Sequence, residues 1–487
     1  MKHLFIALTT LLYLLSTSNA HGKQSATYKS DSLSKADITV LAQGISAKDS
    51  LSAGYSTLMY KESGTAEFIR VQARRVNGKY HLSFAFSGPV AYVFITLRRA
   101  GSDPEKQILR PDFFVENGDD IKVTVDTRSD DVRFSGKGAS KFNLIRDSKK
   151  AFKDLPYDDF FNSDLTFNSK NKEDVCLDSL KDEVAWREKE KQLTPIAAHL
   201  LLTDQIYKLR GIEAGFIKTR LAKATLKEKE TLIGSFERFI DRDNLITDTV
   251  AAVKSKMFAV FQLDLIRLSH IKAGSSPKPD ALFEPIFNNY KGLIRERLLL
   301  QLFKRSGFGI QDYNNLLQRS MAYIKEPDYQ IAMVPFQNRK SNMRAYPFEL
   351  PDANGRTVRL SDLKGKLVLV DFWFYGCPHC SHYFRTVMQP VAEAFRDRSD
   401  IVFVTINIDK DRSNWYKGIR SGEYTTAELT NLNTGVSGGD HPAIKHYGIR
   451  SYPQPMMIGK KQDVLYFSDD RLMDKDSLIR LIQSELE

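Results

Sequence analysis

The chain has 487 residues, with 71 Lys+Arg against 60 Asp+Glu and a formal net charge of +11. Hydrophobic residues make up 42% and charged residues 27%, which excludes a wholly disordered chain, a collagen-like fibre and a polytopic membrane protein. Three cysteines are too few for a disulfide scaffold, and the basic residues are interleaved with acids rather than gathered into the runs a nucleic-acid binder would carry.

Met1 to Ala20 reads as a secretory signal: Lys2 is the positive start, Leu4 to Leu15 a mostly apolar core, and Ser18-Asn19-Ala20 a small-residue cleavage site. Twelve helical residues rise only about 18 Å, short of a ~30 Å bilayer core. An uncleaved anchor, lengthened by the flanking Ser and Thr, is the alternative, and membrane contact is expected only in that case. The expected location is therefore extracytoplasmic, where disulfides persist.

Residues 21–37 are polar and form an expected flexible leader. Residues 38–137 carry period-two patterns. Tyr80, Leu82, Phe84 and Phe86 alternate with His81, Ser83 and Ala85, and Ile121, Val123 and Val125 follow the turn Asn117-Gly118-Asp119-Asp120. Several short strands between turns predict an antiparallel β domain of sandwich type, with its aromatics in the core.

Residues 138–335 switch to three- and four-residue apolar spacing, as in Leu180 to Leu209 and Ala224 to Ile240, and predict an all-α region. Cys176 lies there as an odd thiol. Residues 336–346, with Arg339, Lys340 and Arg344, are expected to be a linker.

Residues 347–487 alternate strands and helices and predict a small α/β domain. Leu367 to Trp373 is apolar apart from Asp371, as a buried central strand would be. Ile401 to Ile408 is a second strand, Ser381 to Phe395 and Asp474 to Leu486 are helices, and Met456 to Ile458 with Val464 to Phe467 form a hairpin.

The chemistry sits in Cys377-Pro378-His379-Cys380. A Cys-x-x-Cys between strand and helix puts its first thiol at the helix amino terminus, where unsatisfied N–H groups and the helix dipole favour a thiolate. The ceiling of that effect is a fall in thiol pKa from ~8.5 to ~3.5, or ~7 kcal/mol of thiolate stabilisation. Cys380, one turn on, can attack a mixed disulfide formed at Cys377. His379 adds a donor beside the thiolate, and a stabilised thiolate makes the disulfide more oxidising. Asp371, six residues upstream, is expected to have a raised pKa through desolvation and to take the proton of Cys380; a structural acid bonded to backbone is the alternative. At Ser451-Tyr452-Pro453 a cis peptide would expose the backbone of Tyr452 to a substrate strand. Zinc binding by the two cysteines would need a second ligand pair, which the spacing of His382, His441 and His446 does not supply.

In order and spacing, Pro347 to Gly355, Leu360 to Lys366, Val370-Asp371-Phe372-Trp373 with its Cys-x-x-Cys, and Ile449 to Pro453 resemble the thioredoxin superfamily, most closely the extracytoplasmic TlpA/ResA-like thiol-disulfide oxidoreductases. The multidomain layout resembles secreted proteins of Bacteroidetes-type bacteria, which implies the periplasm or cell envelope of a bacterium as the location. The resemblance implies a thioredoxin-like fold with Cys377 attacking, Cys380 resolving, Asp371 as buried acid and Pro453 as cis-proline. Tyr452, Pro453 and Trp373 are the residues expected to meet substrate. The implied partners are protein thiol or disulfide clients and a redox partner protein, with the Cys377–Cys380 pair in place of any organic cofactor or metal. Four departures stand out: Gly376 where the family carries Trp, a Pro-His dipeptide resembling DsbA-type oxidases, Gln454 after the proline, and no helix-kinking proline before Pro390. A peroxiredoxin-like peroxidase and a redox-silent scaffold are the alternative functions.

Overall fold

In strand β1 (Ser34–Gln43) the residues Ala36, Ile38 and Val40 point one way and are buried, and Leu82, Phe84 and Phe86 do the same in β5 (Lys79–Phe86). This alternation is repeated across two sheets. The computed structural model describes residues 33–46, 48–57, 69–98, 106–126, 131–153, 172–221, 224–240, 248–275, 278–305, 313–467 and 469–487; the expected signal segment lies outside them, as does most of the leader, whose last residues begin β1.

Between β1 and β5 run β2 (Ser50–Ser56), β3 (Ile69–Val71) and β4 (Arg74–Val76). After β5 come β6 (Val90–Arg98), β7 (Lys106–Glu116), β8 (Asp120–Asp126) and β9 (Val132–Lys137). One sheet has the order β4-β5-β1-β8-β9 and the other β3-β2-β6-β7. Their inner faces share a core of Ile38, Phe84, Val123, Val93, Ile95 and Phe113, the sandwich the period-two pattern predicts. The pairing is antiparallel except between β1 and β8, which run parallel with Ile38 opposite Ile121. That pair is joined by a long connection through six intervening strands, which is what parallel neighbours require.

Helices α1 (Ala139–Lys153), α2 (Lys172–Lys189) and α3 (Pro195–Leu221) place Phe142, Ile145, Val184 and Leu201 in the same core as the strands. No break in packing occurs at residue 138: the sandwich and the helices up to α6 belong to one compact unit. The helical stretch from Leu180 to Leu209 spans two helices, since the chain turns at Lys191 (φ 57°) and restarts with Pro195 as its first helical residue. Next come α4 (Leu226–Ile240), α5 (Thr249–Lys254) and α6 (Lys256–Lys272), around a core of Tyr207, Ile217, Leu232, Phe258 and Phe261. Helices α7 (Pro279–Asn289) and α8 (Gly292–Arg305) are divided between this unit and a second one, which holds Leu302–Glu487.

In the second unit, α9 (Tyr313–Met321) and α10 (Pro327–Gln337) precede a hairpin of β10 (Glu349–Pro351) and β11 (Thr357–Arg359). The main sheet has the order β14-β13-β12-β15-β16, built from β12 (Leu367–Trp373), β13 (Ile401–Asn407), β14 (Thr430–Asn433), β15 (Gln454–Ile458) and β16 (Val464–Phe467). The first three are parallel and the last two antiparallel. Both faces are covered. Val368, Val370 and Phe372 enter one core with Phe348 and Tyr447; Leu367 and Leu369 enter the other with Phe384, Met388 and Leu478.

The expected linker is built into this unit. Asn342 N–H donates to Val464 O, Val464 N–H to Met343 O and Ala345 N–H to Gln462 O, at 2.8–2.9 Å, so the segment closes the edge of β16 as an extra strand would. Arg339, read as a linker charge, is buried between Phe336 and Phe467 and donates to Tyr447 O and Gly448 O at 2.7 and 2.8 Å. Burial lowers its pKa to about 10.

Candidate active site

Strand β12 ends at Trp373, and Phe374, Tyr375 and Gly376 turn the chain into helix α11 (Pro378–Tyr383). Gly376 sits at φ 84°, in the left-handed region. A Cβ there would meet nothing within 4 Å, so at the first carbon it is the backbone conformation, not crowding, that disfavours any other residue at this position. Cys377 is the N-cap residue: its Sγ accepts from Cys380 N–H at 3.1 Å. Pro378 takes the first helical position, where its missing N–H costs nothing.

The two cysteines form a disulfide with Cα atoms 5.3 Å apart. Cys377 is 3% exposed and Cys380 1%. Around Cys377, Tyr375, Gly376, Pro378 and His379 are all exposed. The outer sulfur is thus just under the surface, and a partner must fit closely to reach it. The peptide Tyr452-Pro453 is cis, and Tyr452 O lies 3.9 Å from Cys377 Sγ. Phe374 meets the Tyr452 ring edge-on at 5.7 Å.

Below the disulfide is Asp371, 1% exposed, on the sheet face that α11 covers. Its Oδ1 accepts from Gln454 N–H at 3.2 Å, while Oδ2 has no partner. Desolvation raises its pKa to about 8, opposed by the bonds from Gln454 and Phe372. The bonded-acid alternative therefore accounts for only one of its two oxygens. Tyr383, which donates to Leu472 O at 3.0 Å, has its own pKa raised by burial and then by the Asp371 charge.

Trp373, expected to meet substrate, presents no surface to one in this structure. It is 0% exposed and stacked on Tyr424, centroids 5.2 Å apart and planes 6° from parallel. Alternation along β12 puts its indole under the turn, in a cluster with both cysteines and Trp415. Gly418 makes room for it: a Cβ there would lie 2.4 Å from the indole. His379 is exposed on the first turn of α11, and Cys176, half-buried on α2, belongs to the other unit. The expected helix over Ser381 to Phe395 starts earlier and is interrupted by a π turn at Phe384–Met388 before α12 (Gln389–Ala394). The turn lies just ahead of Pro390, which has no N–H to give.

Sequence reasoning missed Asp409 and Tyr424, which accept hydrogen bonds from Tyr375 N–H and Gly376 N–H at 2.8 and 3.1 Å. Polar Asn407 and Asp409 at the end of an apolar strand were the available signal for the first; Tyr424 left none. Among the described residues, no three or more His, Cys, Asp or Glu side chains are placed to hold a metal ion, and no helix is long and apolar enough to cross a membrane.

Residues 365–464 match the family model described as Thioredoxin-like. Similar solved structures include the thioredoxin domain of a thiol-disulfide oxidoreductase from Bacteroides vulgatus, at 21% identity over 30% of this chain and 99% of that one, TM-score 0.27. A thiol:disulfide interchange protein from a Bacteroides species follows at 21% identity, covering 30% of this chain and 90% of that one, TM-score 0.27. A thiol-disulfide oxidoreductase from Bacteroides fragilis is 17% identical over 29% of this chain and 98% of that one, TM-score 0.26. No curated protein matches the chain.

Proposed function

Given a carboxy-terminal domain that is thioredoxin-like, we propose that the chain is an extracytoplasmic thiol-disulfide oxidoreductase acting on protein thiols and disulfides. The observation that carries this reading is the adjacent pair Cys377 and Cys380 at the start of α11, set above a buried carboxyl with one open oxygen.

In the oxidising direction a client thiolate attacks Cys377 Sγ. The Cys377–Cys380 bond breaks, a client–Cys377 disulfide forms, and Cys380 leaves as a thiolate that takes a proton from Asp371. A second client thiolate then attacks the client sulfur and releases Cys377. The client loses two electrons and the cysteine pair gains them. Run backwards, the same steps reduce a client disulfide, with Cys380 attacking and Asp371 receiving its proton. The N-terminal peptide groups of the helix favour the Cys377 thiolate as leaving group, and the cis-proline loop offers Tyr452 backbone to a client strand. His379 stands where a protonated ring adds to that field. Export rests on the Met1–Ala20 signal reading.

Alkylation of the reduced protein as a function of pH tests this. One fast thiol, Cys377, is expected to titrate well below ~8.5. Cys380→Ser is expected to accumulate a mixed disulfide with a thiol peptide, and Cys377→Ser none. A thiol titrating near ~8.5 with no trapped adduct would falsify the reading. A stable sulfenic acid on Cys380→Ser after low peroxide would favour a peroxidase, and full cellular function of the double serine variant a scaffold. The reduction potential then gives direction: about −120 mV marks a dithiol oxidase and about −270 mV a reductant.

A further inference from the structure

Resting on that redox reading, we infer that Asp409 and Tyr424 are positioning residues for the cycle: their side-chain oxygens hold the two peptide N–H groups just before Cys377 and so set how readily its sulfur meets that of Cys380.

Cys380 lies inside a helix, where the ladder of backbone bonds places it. Cys377 lies at the end of a three-residue turn, and its own N–H makes a bond of 3.3 Å to Phe374 O. The two N–H groups before it are claimed by side chains from elsewhere in the domain. Tyr375 N–H donates to Asp409 Oδ2 at 2.8 Å and Gly376 N–H to Tyr424 Oη at 3.1 Å.

Both acceptors are themselves anchored. Asp409 Oδ2 also accepts from Asn407 Nδ2 at 2.8 Å, and Asp409 N–H donates to Asn407 Oδ1 at 2.9 Å. Asn433, on the next strand, donates to Asn407 Oδ1 at 2.8 Å and to Asp409 O at 3.1 Å, and its Oδ1 accepts from Gly435 N–H at 2.7 Å. Asn407 and Asn433 are both fully buried. Tyr424 is held by its stack on Trp373. The turn is therefore tied to the carboxyl ends of β13 and β14 as well as to β12. Released from these ties, the reduced form gains backbone conformations that the disulfide must give up, and the effective concentration of one sulfur at the other falls.

The test is the equilibrium of the full-length protein with glutathione. Two glutathione thiols are oxidised to one glutathione disulfide and the Cys377–Cys380 bond breaks; one of the two protons goes to Cys380 and the other to Cys377 or, where that sulfur stays a thiolate, to solvent, at a fixed pH for all variants. Asp409→Ala is expected to raise the equilibrium constant for reduction about tenfold, a potential about 30 mV more oxidising. Tyr424→Phe, which keeps the stack and loses the acceptor, moves it the same way by less. Asp409→Asn keeps an acceptor oxygen and is expected to stay within about twofold of the parent. A merely structural role would lower the melting temperature of Asp409→Ala and leave this constant alone. The proposal is overturned if Asp409→Ala and Tyr424→Phe both match the parent, or if Asp409→Asn shifts as far as Asp409→Ala, which would assign the effect to charge. Should Asp409→Ala fail to fold, Tyr424→Phe decides alone. A parent pair that never equilibrates with glutathione overturns the redox reading together with this one; a normal parent with unmoved variants overturns only this one.

Discussion

Lys141 in the sandwich unit and Asp371 in the thioredoxin-like domain are both ionisable groups almost wholly removed from water, and they are treated in opposite ways. Lys141, 2% exposed, lies 2.7 Å from Asp119 Oδ2 and 3.1 Å from Glu116 Oε2. Asp119 also accepts from Glu116 N–H at 2.8 Å, and Glu116 accepts from the Thr194 hydroxyl. Desolvation nonetheless raises the pKa of Asp119, with Lys141 opposing it. Asp371 has no cation among the causes that shift it, only backbone N–H groups as donors, and an open oxygen. A group enclosed by partners is committed to holding elements together. One left half-satisfied keeps its proton near neutral pH and can exchange it, which is what a thiol cycle needs.

The largest expected effect removes the half-satisfied group. Folded Asp371 holds its proton to about pH 8, whereas in an unfolded chain it releases it near ~3.9. Unfolding therefore sheds a proton between those limits, so stability falls as pH rises from about 4 to about 8 and then levels. Asp371→Asn has no proton to shed. Urea unfolding of the oxidised protein should find it close to the parent at pH 4 and more stable at pH 8, by up to about 5 kcal/mol. Its thiol exchange should lose the rise with pH around 8. Equal pH slopes in the two proteins would erase the contrast with Lys141.

Next comes the enclosed group. Lys141→Met leaves Glu116 and Asp119 buried without their cation, and should cost about 3–5 kcal/mol at neutral pH in the same assay. The loss should shrink in acid, as Asp119, whose pKa burial already raises, takes up a proton, and the glutathione equilibrium should not move. A change in that equilibrium would show that this cluster does more than hold its unit together.

The smallest effect separates packing from proton holding within one domain. Gly418→Ala drives a methyl toward Trp373 and should cost about 1–3 kcal/mol. It is expected to lower stability by the same amount at pH 4 and pH 8, because no titrating group is involved. A pH-dependent cost would tie the Trp373 packing to the protonation of Asp371.

Chain-local patterns were legible from the residues. Leu367 to Trp373, Tyr80 to Phe86 and the hairpin at Val464 to Phe467 came out as strands because alternation or an unbroken apolar run is written in neighbouring residues. The Cys-x-x-Cys was legible for the same reason, since strand, turn and helix follow one another without interruption. Features that depend on distant partners were not. Near Lys191 only Thr194 and Pro195, a capping residue followed by a first-turn proline, mark the break between α2 and α3. Arg339 looked like a linker charge because the aromatic rings and carbonyls that enclose it come from Phe336, Phe467, Tyr447 and Gly448.

By itself the sequence determined that a strand delivers Cys377 and Cys380 to the start of a helix, because periodicity and helix capping act over a few residues. Only the tertiary structure decided that Trp373 faces inward, that Asp371 keeps one oxygen open, and that Asp409 and Tyr424 reach the turn before Cys377. Burial and hydrogen-bond satisfaction are properties of groups brought together from far apart in the chain, and no local pattern encodes which distant atoms will arrive.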